Sequence, residues 1–287
     1  MDYKTIIHAP GTITWITLNR PERRNAINRQ LEDELMDALH TAEADEKVRV
    51  IILKGNGPMF SAGHDLYEVA ETYMKGGNPG RGGSGRSVPE QIWHIRKPII
   101  TCVHGVLGPQ ASIMSAVTDL IVAAEGTIFS LEQARVGGGD IINPLWLELI
   151  GMRRHKEWRL TFSALPAEKA MEWGFINKVV PMDRLYAQAE EWAQTMVSVP
   201  AQTVNSFKRG LNAMMEAKGI WNMGLLHETV GHQGHGSDRD REFFKLVLEK
   251  GLKTALEYRD APHGGRGATQ ARAKASAVAA AAAAAKR

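Results

Sequence analysis

MFSAGHDLYEV, residues 59–69, follows the apolar run VRVIILKGN (48–56) and leads into DLYEVAETYM (65–74), which has a helical pattern. The apolar run reads as a buried strand and the small residues Ser61-Ala62-Gly63 as a turn. Asp65 then stands where a helix N-cap belongs. The alternative is a site in which the turn offers backbone donors to a ligand with His64 or Asp65 beside it. The same order of short apolar strand, Gly-containing turn and helix recurs at ITCVHGVLGPQASI (100–113), and more loosely at ITLNRPERRNAI (16–27). Strands alternating with helices predict an α/β protein of stacked βα-type units rather than a sandwich or a bundle.

Outward from that stretch, the β-branched segment 12–19 reads as a strand. Ile27, Leu31, Leu35 and Leu39 recur every four residues and predict an amphipathic helix. Further strands are read at 98–103, 119–125, 127–130 and 177–180. Helices are read at 88–95, 145–151, 153–163 and 166–174, and from Met182 to about Arg259 the pattern is helical throughout. GGNPGRGGSGRS (76–87) reads as a flexible loop.

Composition bounds the function. Of 287 residues, 44% are hydrophobic and 23% charged, a soluble globular balance. No apolar run approaches the ~20 residues of a membrane span, and Met1-Asp2-Tyr3-Lys4 does not open a signal peptide, so the cytoplasm is expected. Cys102 alone cannot form an intrachain disulfide or a multi-cysteine metal site. The formal charge of +3 is carried by the end of the chain: Arg266, Arg272, Lys274, Lys286 and Arg287 meet no acid after His263. The body is slightly acidic and gives no reason to expect nucleic acid. Residues 263–287 read as a low-complexity tail.

GVLGPQAS (105–112) is the second informative turn. With Gly108 as N-cap and Pro109 at the first helical position, the Gln110 N–H has no partner inside its helix and lies at the positive end of the helix dipole. The N–H of His64, just past Gly63, is free on the same reasoning. If the two converge on one carbonyl oxygen they form an oxyanion hole; if not, they are two hydrated helix starts.

ITLNRPERRNAI, VIILKGNGPMFSAGHDL, the Gly105-to-Asp119 spacing and EKAMEWGFINKVVP together resemble the crotonase (enoyl-CoA hydratase/isomerase) superfamily over about residues 5–262. The resemblance implies an α/β, crotonase-like spiral of ββα units over residues 1–197 and a C-terminal helical trimerisation region over 198–262. It implies an acyl-CoA substrate, with coenzyme A part of that substrate and no prosthetic group, and a homotrimer or dimer of trimers. It places the oxyanion N–H groups on His64 and Gln110. It puts coenzyme A near Arg20, Arg23 and Arg24, with Ala62 in the turn beside it; a solvated basic turn is the alternative for each arginine.

The sequence departs from that pattern at the acids. The two glutamates that hydratases of the superfamily use fall on Ile113 and Gln133, and neither side chain can serve as a general base. Asp140, in VGGGDIINP, is the candidate to replace them, since an aspartate works in this loop in dienoyl-CoA isomerases and 4-chlorobenzoyl-CoA dehalogenases. Its role would be general base or carboxylate nucleophile, and a helix cap is the alternative. Glu132 is the second candidate, with an exposed carboxylate as its alternative. Glu68 and Glu71 share one face of the helix after the first turn. His94 and His104 read as structural, and His227, His232 and His235 match no metal-site spacing, so no metal is expected. Trp146 reads as core or as a wall of an acyl pocket. The expected activity is an acyl-CoA-processing lyase or isomerase with an atypical acid/base set. The rivals are a CoA-thioester or ring hydrolase of the same fold and a non-catalytic CoA-binding protein.

Overall fold

A computed structural model describes residues 2–77, 87–136, 144–221 and 237–264. A six-stranded sheet runs in the order β1-β2-β3-β4-β6-β9. Its strands are β1 (Ile6–Ala9), β2 (Ile13–Leu18), β3 (Val50–Gly55), β4 (Ile99–Val103), β6 (Leu120–Ala124) and β9 (Lys178–Val180). Among the described residues, the β1–β2 pair is the one antiparallel pair of this sheet. A small second sheet joins β5 (Val106–Leu107), β7 (Ile128–Phe129) and β8 (Leu165–Pro166). Thus β4 in the large sheet is followed by β5 in the small one and then by helix α4 (Pro109–Ala116), and β6 is followed likewise by β7. These two passes of the chain each lay one strand in either sheet, the repeating step of a ββα spiral.

The central strands are apolar on both faces because both are covered. Along β3, Val50 and Ile52 point into one cluster with Ile100, Cys102, Val122 and Ala124, sealed by Leu185, Ala189 and Ala193 of α7 (Leu185–Val197). The alternate residues Ile51 and Leu53 join the main core with Leu31, Leu35 and Leu39 of α1 (Arg29–Ala44). The four-residue spacing of those leucines is therefore the buried stripe of a helix lying on the sheet, and Asn28 caps it by accepting from the Leu31 N–H (3.0 Å).

Strand β1 was not read from sequence. It is an edge strand of four residues with an alternating burial pattern, too short to declare itself beside the stronger β2. The helices read at 145–151 and 153–163 are the two arms of α5 (Pro144–Thr161), broken where Gly151 adopts φ 75°. The helical last third packs outside the spiral. The first of its helices, α8 (Ala201–Ala217), turns Lys208 inward, where its ammonium meets Asp119 (2.7 Å) and the Lys97 carbonyl (3.0 Å). The last, α9 (Asp238–Asp260), returns to lie on α2 (Leu66–Met74), with Phe243, Phe244 and Val247 buried against Ala70. No helix among the described residues is long and apolar enough to cross a membrane. The loop read at 76–87 lies mostly, and the tail after residue 264 wholly, outside the described residues.

The Lys208–Asp119 pair makes a prediction. Asp119 also accepts the Ile99 N–H (2.7 Å), so it joins α8 to the start of two central strands. Removing one partner of a largely buried pair leaves the other charge unmatched. Lys208→Met is expected to destabilise the fold by about 2–3 kcal/mol, below the fully buried range because Asp119 keeps some solvent. The test is the urea midpoint, with an unchanged m-value.

Candidate functional site

The first turn is held by its backbone. Buried Ser61 donates its hydroxyl to the Asn25 carbonyl (2.7 Å) and accepts the Gly63 N–H (3.1 Å). Ile27 pairs with His64 in a parallel bridge. In it the Ile27 N–H donates to the Gly63 carbonyl (2.7 Å) and the Asp65 N–H donates to the Ile27 carbonyl (2.9 Å). Successive peptide groups of an extended chain point to opposite sides, so the His64 N–H points away from Ile27. Among the described residues it has no hydrogen-bond acceptor. Asp65 caps α2 as read from the sequence, accepting the Tyr67 N–H (3.2 Å).

The second turn lies against the first. Gly108 is the N-cap of α4 and Pro109 opens the helix, as the sequence predicts. The Gln110 N–H likewise has no acceptor among the described residues. The Gly108 N–H donates to the Ser61 carbonyl (3.3 Å). A methyl group on Gly108 would lie 2.0 Å from the Ala62 carbonyl oxygen, and one on Gly63 (φ 84°) would lie 3.3 Å from Gly108 Cα and 3.5 Å from the Gln110 nitrogen. Two free N–H groups therefore sit on backbones in contact, one of them at a helix N-terminus. Such groups can share one anionic or carbonyl oxygen.

The His64 side chain is open to solvent, yet burial pushes its imidazole down to about 4. The ring is therefore neutral at pH 7. Ala62 is exposed beside it. Of the arginines, Arg23 and Arg24 are exposed, Arg23 lying over the Tyr67 ring at 5.7 Å. Arg20 is turned inward: its guanidinium donates to the Asp65 carboxylate (3.1 Å) and to the Ala26 carbonyl (2.5 Å).

Ile113 is a buried core residue of α4. Gln133 lies in the 3₁₀ turn Glu132–Val136. Asp140 falls in 137–143, and His227, His232 and His235 fall in 222–236, all outside the described residues. Glu132 is not an exposed carboxylate. It is buried because Arg259 (3.4 Å) and Arg135 (3.8 Å) neutralise it. Arg135 and Arg259 also hold Asp260, at 3.0 and 2.8 Å. Burial alone would raise the Asp260 carboxyl, but the hydrogen bonds and charges of the two arginines outweigh it and hold it below the usual range. His104 is buried with Nε2 at 2.9 Å from the Gly57 carbonyl, in line with a structural role. Trp146 is core, stacked on Trp158 at 5.0 Å.

One carboxylate escaped the sequence reading. Burial pushes Glu32, on α1, up to about 6; Arg29 opposes the rise, while Glu68 and Asp33 add to it. Only the packing of α1 beside Glu68 reveals this, because in sequence Glu32 is one more acid on a helix. Its folded-state pKa exceeds the unfolded one, so the native state binds the proton more tightly and stability falls as pH rises from about 4.5 to 6. Glu32→Gln is expected to stabilise the protein by about 1 kcal/mol at pH 7.5 and to have no effect at pH 4, read from urea unfolding at both values.

The contact between the turns makes a second prediction. Gly108→Ala cannot keep the present contact with Ala62 and must part the two N–H groups. It is expected to lower turnover of any accepted substrate by about 100-fold, the effect of losing one preorganised donor, while the purified protein stays folded. Steady-state kinetics beside a thermal melt would check both halves.

Comparisons with known proteins identify the family. The profile of the family described as Enoyl-CoA hydratase/isomerase matches residues 8–265. EchA13 of Mycobacterium tuberculosis, which carries the assignment enoyl-CoA hydratase, is 34% identical over 242 residues, 76% of this chain and 75% of the relative. The 4-chlorobenzoyl coenzyme A dehalogenase-2 of an Arthrobacter species is 28% identical, covering 91% of this chain and 97% of its own. The crystal structure of an enoyl-CoA hydratase/isomerase from Xanthobacter autotrophicus Py2 superposes with a TM-score of 0.80 at 29% identity, over 91% of this chain and 99% of that one. With the ββα spiral and the paired turns already in place, these matches establish that the chain belongs to the enoyl-CoA hydratase/isomerase family, the crotonase superfamily.

Proposed function

We propose that the protein is an acyl-CoA-processing enzyme in which the thioester carbonyl accepts hydrogen bonds from the His64 and Gln110 N–H groups. The observation that carries this reading is the backbone contact between the two turns, with both N–H groups unpartnered among the described residues. As the carbonyl becomes an enolate or a tetrahedral oxyanion, negative charge grows on its oxygen. Fixed donors then stabilise the transition state more than the ground state, by about 3–4 kcal/mol for each well-aimed donor. Coenzyme A would lie along Ala62 and the exposed Arg23 and Arg24. No prosthetic group is required for this chemistry.

The acid or base is the atypical part. Ile113 transfers no proton, and Glu132 is committed to Arg259 and Arg135. Asp140 remains the candidate to move the proton or to attack as a carboxylate. The reaction is then an isomerisation or lyase step on an enoyl-CoA. A hydrolase reading shares the oxyanion site and differs in the nucleophile: a water, activated by Asp140, would attack the thioester or a ring. The third reading, a non-catalytic CoA-binding protein, draws on the apolar Ile113. The assembly we propose is a homotrimer or a dimer of trimers. Its support is α8, which turns Lys208 inward and leaves Phe207, Leu211 and Met214 exposed at 69%, 64% and 69%.

An acyl-CoA panel assayed with wild type and Asp140→Asn separates these readings. Turnover of at least one thioester is expected, with kcat lowered by about 100-fold or more in the variant. Unchanged kcat would remove Asp140 from the mechanism, and absence of turnover with retained CoA binding would favour the non-catalytic reading.

A further inference from the structure

We infer that Arg20, paired with Asp65, is a positioning residue for the His64 N–H rather than a contact for coenzyme A; the inference rests on the reading of that N–H as an oxyanion donor. The bridge that aims the N–H has two edges. One is Ala26-Ile27, the other Gly63-His64-Asp65, and two hydrogen bonds through Ile27 join them. The Arg20 guanidinium clips both edges at once. One terminal nitrogen, Nη1, donates to the Ala26 carbonyl (2.5 Å) and to Asp65 Oδ2 (3.1 Å), and the other, Nη2, donates to the same Oδ2 (3.1 Å). The two side chains are 15% and 13% exposed, so the pair is largely withdrawn from solvent.

Arg20 is itself held. Its N–H donates to the buried Asn25 amide oxygen (2.8 Å), and its carbonyl accepts the Asn25 N–H (2.8 Å). The Asn25 amide nitrogen in turn lies 2.8–3.0 Å from the carbonyls of Asn56, Met59 and Phe60, which lead into the first turn. Asp65 has two duties, one oxygen on the Tyr67 N–H of α2 and the other on Arg20. Arg20 therefore ties the end of α2 to the strand-like segment that orients His64. Catalytic donors tolerate displacements well under 1 Å, so a clip of this kind acts on catalysis without touching substrate. A planar guanidinium reaches both acceptors at fixed angles, whereas a lysine ammonium at the same place reaches one at a time. Contact with a CoA phosphate would require these bonds to break, while Arg23 and Arg24 stand exposed.

The test separates positioning from ligand contact and uses the full-length chain. Hexadienoyl-CoA absorbs at longer wavelength when its thioester carbonyl is polarised, and free coenzyme A binding is measured by titration calorimetry. Wild type is expected to red-shift the bound thioester. Arg20→Gln is expected to cut that shift to about half or less while leaving the coenzyme A Kd within about twofold, and Arg20→Lys to recover part of it. Should Arg20→Gln fail to fold, Asp65→Asn carries the same test, since its amide oxygen still caps α2 but the charge pair is gone. A coenzyme A Kd weakened about tenfold with the red shift intact would make Arg20 a CoA ligand and overturn the inference. An unchanged shift and unchanged Kd would overturn it as well. If wild type itself binds the probe without a red shift, the oxyanion reading falls first and takes the role of Arg20 with it.

Discussion

The structure depends on one contact between two backbones. Gly108 passes so close to the Ala62 carbonyl that no side chain fits between them. That approach lets the Ser61 carbonyl accept from Gly108, and it brings the start of α4 against the turn that opens α2. Each turn alone is an ordinary strand-to-helix connection with a hydrated N–H. Pressed together, they bring two N–H groups that have no acceptor among the described residues onto backbones in contact.

The elements around this contact serve to keep it in place. The strands beneath it are covered on both faces, by α1 and the main core on one side and by α7 on the other, so the platform cannot shift without opening apolar surface to water. The segment from Arg20 to Ile27 is laced to residues 56–65 through Asn25, Ser61, Ala62 and Ile27. Farther out, α9 lies on α2, and the end of α9 meets the 132–136 turn through two arginines and two carboxylates. The four charges of that group balance, which is the condition for burying them. The same condition appears at Asp119 and Lys208, where α8 is tied down.

His64 and Glu32 show how packing alone shifts a titratable group. Neither has an opposite charge strong enough to hold its ionised form against desolvation, so the imidazole is pushed down and the carboxyl up. Both changes favour the neutral form. At pH 7 the imidazole is therefore neutral, while Glu32, displaced only to about 6, is still largely ionised.

Much of this was legible in the chain. The apolar run at 50–55, the four-residue spacing of Leu31, Leu35 and Leu39, Asp65 as a cap and Gly108-Pro109 as a helix start are local patterns, and local patterns follow from propensity and periodicity. So was the Gln110 N–H, which a helix start leaves without an intrahelical partner, whereas that of His64 is turned away from Ile27 by the bridge between them. The strands β1, β5 and β8 were not legible, because they have two to four residues and owe their form to neighbours. Nor was the burial of Glu132, whose counter-charge Arg259 lies 127 residues away. The inward turn of Arg20 was hidden among three arginines that look alike in sequence. By itself, then, the sequence determined the longer strands and helices and where their ends fall. The tertiary structure alone decided that two of those ends meet and that Arg20 is spent on holding one of them, because contact and burial arise between segments far apart in the chain.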